Sequence, residues 1–429
     1  MTERATRGLR LLFLAPFAPR LDGTHGGSRS IAQRIAALGA RHRVAVLYLR
    51  GDDEPAMDDA LRALCDRVEE VPRAGGRWRQ RAVRAMALLR GEPRWAAQWA
   101  VPALARRAAS VAASWRPDVV HFDFHLMAQY AGAFDGCHAA RVLVDHEPGA
   151  AAARAAARRR RGPARAVALL DARAWRRYER RVMRRMQAVV VFTERDERAL
   201  APLAGATPLV RVPLSAPARA HPLDPLGHAP PAILFVGSFI HPPNVDAAMR
   251  LVADVFPRVR ARHPEARLWI VGDQPPPALR AAADDRVVVT GRVPDVTPYL
   301  DGAAVVVAPL REGGGMRVKV LEALGAGKAL VATPLAASGM GLTAGEHALL
   351  VETDEEIAEA IAELVAHPAR RAALGAAAFA WAHAHLGDDA LVAAFEALYA
   401  WLGHDAGPPA PVARELAPPA GHAATEGRR

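Results

Sequence analysis

The stretch from 304 to 342 constrains this chain more than any other. A short β-branched run, Val305 to Pro309, leads into three consecutive glycines, Gly313, Gly314 and Gly315. Met316, Val320, Leu321 and Leu324 then repeat at helical spacing, and a second apolar run, Ala329 to Thr333, closes the unit. Short runs bounded by Gly or Pro around a stripe of helical period predict a strand, a glycine turn, a helix over about Met316 to Leu324, and a second strand. Glycines before a helix let backbone approach a ligand closely, and the first amides of a helix have no intrahelical partners. With the helix dipole, those amides favour an anion such as phosphate. Arg317 and Lys319 fall in the predicted first turn, where cations oppose the dipole, so their placement makes more sense if they meet a bound anion. Glu322 lies deeper in the helix, placed to accept hydrogen bonds from ligand hydroxyls. A glycine turn alone is equally compatible with a plain connection.

The whole string is more specific. Gly313, Gly314, Lys319, Glu322, Ala323, Gly327, Val331 and Thr333 resemble the donor-binding signature of retaining glycosyltransferase family 4. The turn looks like that of a subgroup with Gly-Gly-Gly-x-Arg-x-Lys. The family usually places two glutamates eight positions apart; here Gly314 occupies the earlier position, and the nearest acid, Glu312, lies two residues before it. The resemblance implies a GT-B fold, an α/β architecture of two doubly wound Rossmann-like domains facing across a cleft. It also implies transfer of a hexose from a nucleotide diphosphate sugar. Glu312 and Gly313 to Gly315 would line the donor, Arg317 and Lys319 would neutralise the leaving group, and Glu322 would hold the ribose.

At 429 residues the chain exceeds the size at which one core keeps growing, so two domains are expected. Two distant cysteines, Cys65 and Cys137, give neither metal spacing nor a disulfide framework, which suits core filling in a reducing cytoplasm. The N-terminal run Leu11 to Ala18 is short and broken by Pro16, so it reads as a buried strand and not as a signal peptide. No apolar stretch approaches the roughly 18 residues needed to span a bilayer.

Taken in order, residues 1–215 read as an N-terminal, acceptor-side domain. Its first strand is followed by a turn with Gly26 and Gly27 and a helix after Ser28. The Gly-x-Gly-x-x-Gly fingerprint of dinucleotide sites is missing. In the resembled family the Gly26-Gly27 turn faces the acceptor; a plain connection is the alternative. Residues 58–115 read as helical, with Trp78, Trp95, Trp99 and Trp115 as core anchors. Two further strands end in His121 and Asp123, and in Asp145, His146 and Glu147. In open parallel sheets the ligand crevice lies beyond such ends. The second cluster resembles the family's Asp-x-His segment, which implies that His146 contacts the transferred sugar. The Tyr178-Glu179 pair and the Thr193 to Asp196 turn look like family features as well.

Residues 216–231 read as a linker, and 232–385 as the nucleotide-sugar domain. A turn with Gly237, Ser238 and Asn244, the last near a helix cap, resembles the family subgroup and carries over as donor-lining. Other members grip the diphosphate with an Arg and a Lys in this region; Arg317 and Lys319 are the replacements here. Arg292 and Val293 would present backbone to the base. Residues 386–403 are expected to cross back to the first domain, and 404–429 to be disordered.

The net charge of +11 arises between Arg154 and Met186, where thirteen arginines face only Asp171 and Glu179. Three uses stand open: a solvated helix, an anionic membrane surface or polyprenyl diphosphate acceptor met through 154–185, and nucleic acid. Few aromatics are interleaved for base stacking, which disfavours the last. The leading expectation is a glycosyltransferase with a glycan or polyprenyl-linked acceptor in cell-envelope or exopolysaccharide synthesis. It would be cytoplasmic or peripheral at the inner face of the plasma membrane, with no cofactor and no metal. A GT-B sugar nucleotide epimerase and an Arg-rich nucleic-acid binder are the alternatives.

Overall fold

The computed structural model describes residues 8–22, 26–52, 54–73, 76–217, 219–313 and 317–403. Gly314 and Gly315 of the predicted donor turn, and the predicted tail 404–429, lie outside the described residues. Near-continuous Val, Leu and Ala runs give strands buried on both faces, as parallel sheets require. The first seven are β1 (Arg10–Ala15), β2 (Arg43–Arg50), β3 (Arg67–Pro72), β4 (Val119–Asp123), β5 (Ala140–Val144), β6 (Ala188–Val191) and β7 (Leu209–Arg211). They form one parallel sheet in the order β3-β2-β1-β4-β5-β6-β7. A second parallel sheet comprises β8 (Ala232–Val236), β9 (Arg267–Val271), β10 (Val287–Gly291), β11 (Ala303–Ala308), β12 (Leu330–Ala332) and β13 (Leu349–Leu350). Its order is β10-β9-β8-β11-β12-β13. Strand order reverses between β1 and β4 and again between β8 and β11, and such switch points open crevices at the carboxyl ends.

The helices that matter for the site are α1 (Gly26–Gly39), α2 (Arg77–Arg90), α3 (Gly149–Arg158), α4 (Gly162–Met183), α5 (Glu194–Ala204), α6 (Pro242–Arg250), α7 (Val318–Gly325) and α8 (Asp388–Leu402). α1 follows the first switch-point strand and α7 follows β11, so both project their amino ends toward the space between the sheets. The last helix, α8, returns to pack on α1. Its Tyr399 hydroxyl lies 2.8 Å from Nε2 of His121, and Ser215 donates to Asp388 at 2.7 Å. One apolar cluster runs continuously from Phe13 and Phe192 through Val320 and Leu321 to Phe395. The two sheets therefore share packed surface.

Three local expectations are corrected. Residues 58–115 are not helical throughout: Arg67–Pro72 is the edge strand β3, in which only Val71 is buried. Glu69 and Glu70 on an exposed edge hide the β pattern, as charges on edge strands commonly do. Trp78 and Trp95 are not core anchors, being 80% and 45% exposed. Finally, α7 starts at Val318, so Arg317 is its N-cap, while α6 is capped at His241 and Asn244 sits in its first turn.

Candidate functional site

On the C-terminal side, α7 brings Arg317, Lys319 and Glu322 together. Arg317 is buried and donates from Nη2 to the Gly313 carbonyl at 2.8 Å. Gly313 takes φ +111, a conformation that a side chain would strain. Lys319 donates to Asn244 Oδ1 at 2.7 Å, and its ammonium lies 4.2 Å from the centre of the Phe235 ring. Burial, reinforced by Arg317, pulls the Lys319 ammonium down to about 7, against the opposing pull of Glu322. Asn244 returns a hydrogen bond to the Ser238 carbonyl at 2.8 Å. A side chain at Gly237 would press on Asn244, 3.0 Å from its Cγ. Thus Gly237, Ser238, Asn244 and Lys319 form one connected group. Burial raises the Glu322 carboxyl above its ordinary value, although Arg29 opposes this. Glu322 Oε2 has no hydrogen-bond partner among the described residues.

On the N-terminal side, Asp123 at the end of β4 is fully buried between Arg34 of α1, with which it forms an ion pair, and His146. His146 Nε2 is 3.2 Å from Asp123 Oδ1. Burial pushes the Asp123 carboxyl up, but Arg34 and the His146 hydrogen bond outweigh it and leave the carboxyl below its ordinary value. An ionised Asp123 can only accept, so Nε2 donates and His146 Nδ1 carries the lone pair. Burial keeps His146 below the usual histidine value despite Asp123. Nδ1 has no partner among the described residues. The imidazole stacks on Phe124 with centroids 4.1 Å apart. Phe124 holds φ +63, unusual for a residue with a side chain and the kind of local strain that clusters at functional sites. Gly27 makes room for it: a Cβ there would lie 2.7 Å from Phe124 Cζ.

The two sides touch. Arg29 of α1 pairs with Glu322, Arg159 pairs with Glu312, and Arg195 of α5 donates to the Gly313 carbonyl. A Cβ on Gly26 would lie 2.7 Å from Cγ2 of Val318. Between α1 and α7, a cavity of about 10 Å³ is lined by Ser30, Arg34, Ser215 and Leu321 among others. That is room for about one water molecule. Glu147 donates its N–H to Asp145 Oδ1 at 3.0 Å, and its charge acts on both Arg317 and His241 across the interface. Asp196, buried behind Arg317, is raised to about 6 by desolvation, against its hydrogen bond from Thr193 and the pull of Arg317.

Not every expected residue converges here. His121 is wholly buried, stacked on Phe13 at 4.6 Å and bonded to Tyr399, and burial pulls it down to about 3. It anchors α8 and does not face the crevice. Asp145 turns inward toward His125. Arg292 and Val293 follow β10 at the sheet edge, one strand beyond β9. Conversely, Arg29, Arg34, Phe124, Arg159 and Arg195 join the site without having been singled out in the sequence. A positive-φ phenylalanine leaves no sequence signal, and the arginines are recognisable only from partners far along the chain.

Two doubly wound domains that meet through the amino ends of facing helices constitute the GT-B architecture expected from the sequence. The family model described as Glycosyl transferases group 1 matches residues 230–367, which span most of the second domain. No curated protein matches the sequence. Among solved structures, sucrose-phosphate synthase from Thermosynechococcus elongatus is similar with a TM-score of 0.66 at 16% identity, over 92% of this chain and 99% of that one. A glycosyltransferase from Rickettsia africae gives 0.63 at 12% identity, over 93% and 100%. The Anabaena protein HepE, in complex with UDP-glucose, gives 0.60 at 13% identity, over 91% and 100%. At such identities the likeness speaks for the fold.

Proposed function

We propose that the chain is a retaining glycosyltransferase of family 4, in the Gly-Gly-Gly-x-Arg-x-Lys subgroup, that transfers a hexose from a nucleotide diphosphate sugar. One observation carries this reading: the amino end of α7 gathers Arg317, Lys319 and the half-satisfied carboxylate of Glu322 against the domain that bears His146. A diphosphate takes the two cations and the free amides of the helix start. Glu322 takes the ribose, and His146 Nδ1 accepts from a sugar hydroxyl. Charge growing on the departing phosphate is stabilised by these fixed donors, often the largest catalytic contribution, so the transfer needs no metal. The UDP-glucose held by the Anabaena relative supports a nucleotide sugar as donor.

The acceptor we infer is a glycan or a polyprenyl-linked sugar at the inner face of the plasma membrane, in cell-envelope or exopolysaccharide synthesis. The N-terminal domain supports this through exposed Arg173, Arg176, Arg180 and Arg181 on α4, beside exposed Trp78, Met86 and Leu89 on α2. A cleft of about 410 Å³ between the two helices is lined by Leu89, Arg90, Arg177 and Arg181. Basic and apolar groups side by side suit an amphiphilic anion at a membrane surface. No helix among the described residues is long and apolar enough to cross a membrane.

A thermal-shift screen of UDP-, GDP-, ADP- and dTDP-sugars tests the donor, because a ligand of the native state raises apparent stability. Lys319→Ala and Glu322→Ala should each lower turnover about a hundredfold with the fold intact; normal turnover in both overturns the assignment. Rapid isomerisation of a labelled donor without any acceptor would point to an epimerase.

A further inference from the structure

Three ionisable side chains from three elements converge inside the N-terminal domain: His125 on the helical turn after β4, Asp145 at the end of β5, and Glu179 on α4. Each is 1% exposed. One ligand-capable atom from each lies within 4.8 Å of the others, and His125 Nδ1 is 3.4 Å from Asp145 Oδ1. The fold uses only part of this group. Glu179 Oε1 accepts the Ala150 N–H at 3.0 Å, near the start of α3, and Asp145 Oδ1 accepts the Glu147 N–H. His125 Nε2, Asp145 Oδ2 and Glu179 Oε2 are buried without a hydrogen-bond partner among the described residues.

The strongest charges acting on His125 come from Asp145, Glu179 and Glu147, and those on Glu179 from His125 and Asp145, while burial raises the Glu179 carboxyl to about 7. Buried carboxylates with unused oxygens are costly unless a cation meets them.

We propose that His125, Asp145 and Glu179 bind a divalent transition-metal ion that ties α4 to the end of β5, beside His146. One imidazole nitrogen and two carboxylate oxygens form a donor set suited to Zn²⁺ or Mn²⁺. Metal–ligand distances of about 2.0–2.2 Å require the three atoms to close in by about 1 Å, within reach of small side-chain rotations. Outer contacts already orient the histidine: Tyr178 donates to its carbonyl at 2.7 Å, and Trp175 stands edge-on at 4.7 Å. The ion is structural. It does not touch the donor, and the proposal does not depend on the transfer reaction. Without a metal, burial works against the His125 charge but Asp145 outweighs it, and burial raises the neighbouring Glu179 carboxyl to about 7.

The test uses the full chain prepared without a histidine tag, stripped with chelator and dialysed against micromolar Zn²⁺ or Mn²⁺. Metal content is read by mass spectrometry and stability by thermal melting. The wild type should take up about one equivalent per chain and melt at a higher temperature when loaded. Glu179→Gln and His125→Gln should lose both the uptake and the shift. A stripped wild type that binds neither ion, or variants that retain its stoichiometry, would overturn the proposal.

Discussion

On the proposed donor site, Lys319 should make donor affinity depend on pH. Its ammonium titrates at about 7 in the unliganded protein because burial and Arg317 disfavour the charge. A diphosphate oxygen about 4 Å away, at an effective dielectric near 20, contributes about 4 kcal/mol, or about three pKa units, and so returns the bound lysine to about 10. Well below pH 7 the lysine is already charged, and its contribution to affinity should be flat. Above it, every binding event must take up a proton, so affinity should fall about tenfold per pH unit up to about pH 10. From pH 7, where the lysine is half charged, to pH 9 the loss is about fiftyfold, or about 2.3 kcal/mol. His146 and His241 are both held below the ordinary histidine value by burial, so they stay neutral throughout. The assay is calorimetric titration with a nucleotide diphosphate sugar, whose phosphates do not titrate in this range, in two buffers of different ionisation enthalpy. Lys319→Met should abolish both the slope and the proton uptake. A flat profile in the wild type, or a slope that survives in the variant, would refute the reasoning.

Other outcomes follow from single contacts. Tyr399→Phe strips a fully buried His121 nitrogen of its partner and should destabilise the protein by about 1–3 kcal/mol in urea unfolding; unchanged stability would show that α8 is anchored otherwise. Asp123→Asn leaves Arg34 buried without its counter-ion, a loss of about 3–5 kcal/mol. The Asp123 carboxyl is depressed in the fold, so its stabilisation is complete above an unfolded value of about 3.9 and disappears as pH falls through the lower folded value. Acid unfolding of wild type and variant should differ in that window. Gly27→Ala drives a methyl into Phe124 and should cost about 1–3 kcal/mol; a normal melting temperature with normal turnover would count against the role given to the Phe124 and His146 stack. Reversing Arg176 and Arg180 to Glu should abolish co-sedimentation with anionic liposomes, and persistent pelleting would remove α4 from the membrane face.

The parts legible in the sequence are those set by local periodicity. Val305 to Pro309 and Ala329 to Thr333 could be read as strands because β-branched runs between turn residues have few other uses. The helix between them followed from four apolar residues at helical spacing. The edge strand Arg67–Pro72 escaped because only Val71 in it is buried and its acids obey no apolar pattern. The site was half legible for a related reason. Arg317, Lys319 and Glu322 announce themselves by their distance from a glycine turn. Their partners do not: Arg29 reaches Glu322 across 293 residues, and Arg159 stands in a run of arginines that looks uniform until one of them meets Glu312. Glu147 lies just beyond the end of β5 and acts on the other domain, whereas His121 sits in the middle of β4 and is sealed under α8.

The ion pair between Arg29 and Glu322 joins the two domains through one oxygen of a carboxylate whose other oxygen is unclaimed. On the proposed function, a ribose hydroxyl that donates to the second oxygen leaves the guanidinium in place. One glutamate then serves both as a latch between the domains and as a seat for the ligand, and cutting it to alanine loosens both at once.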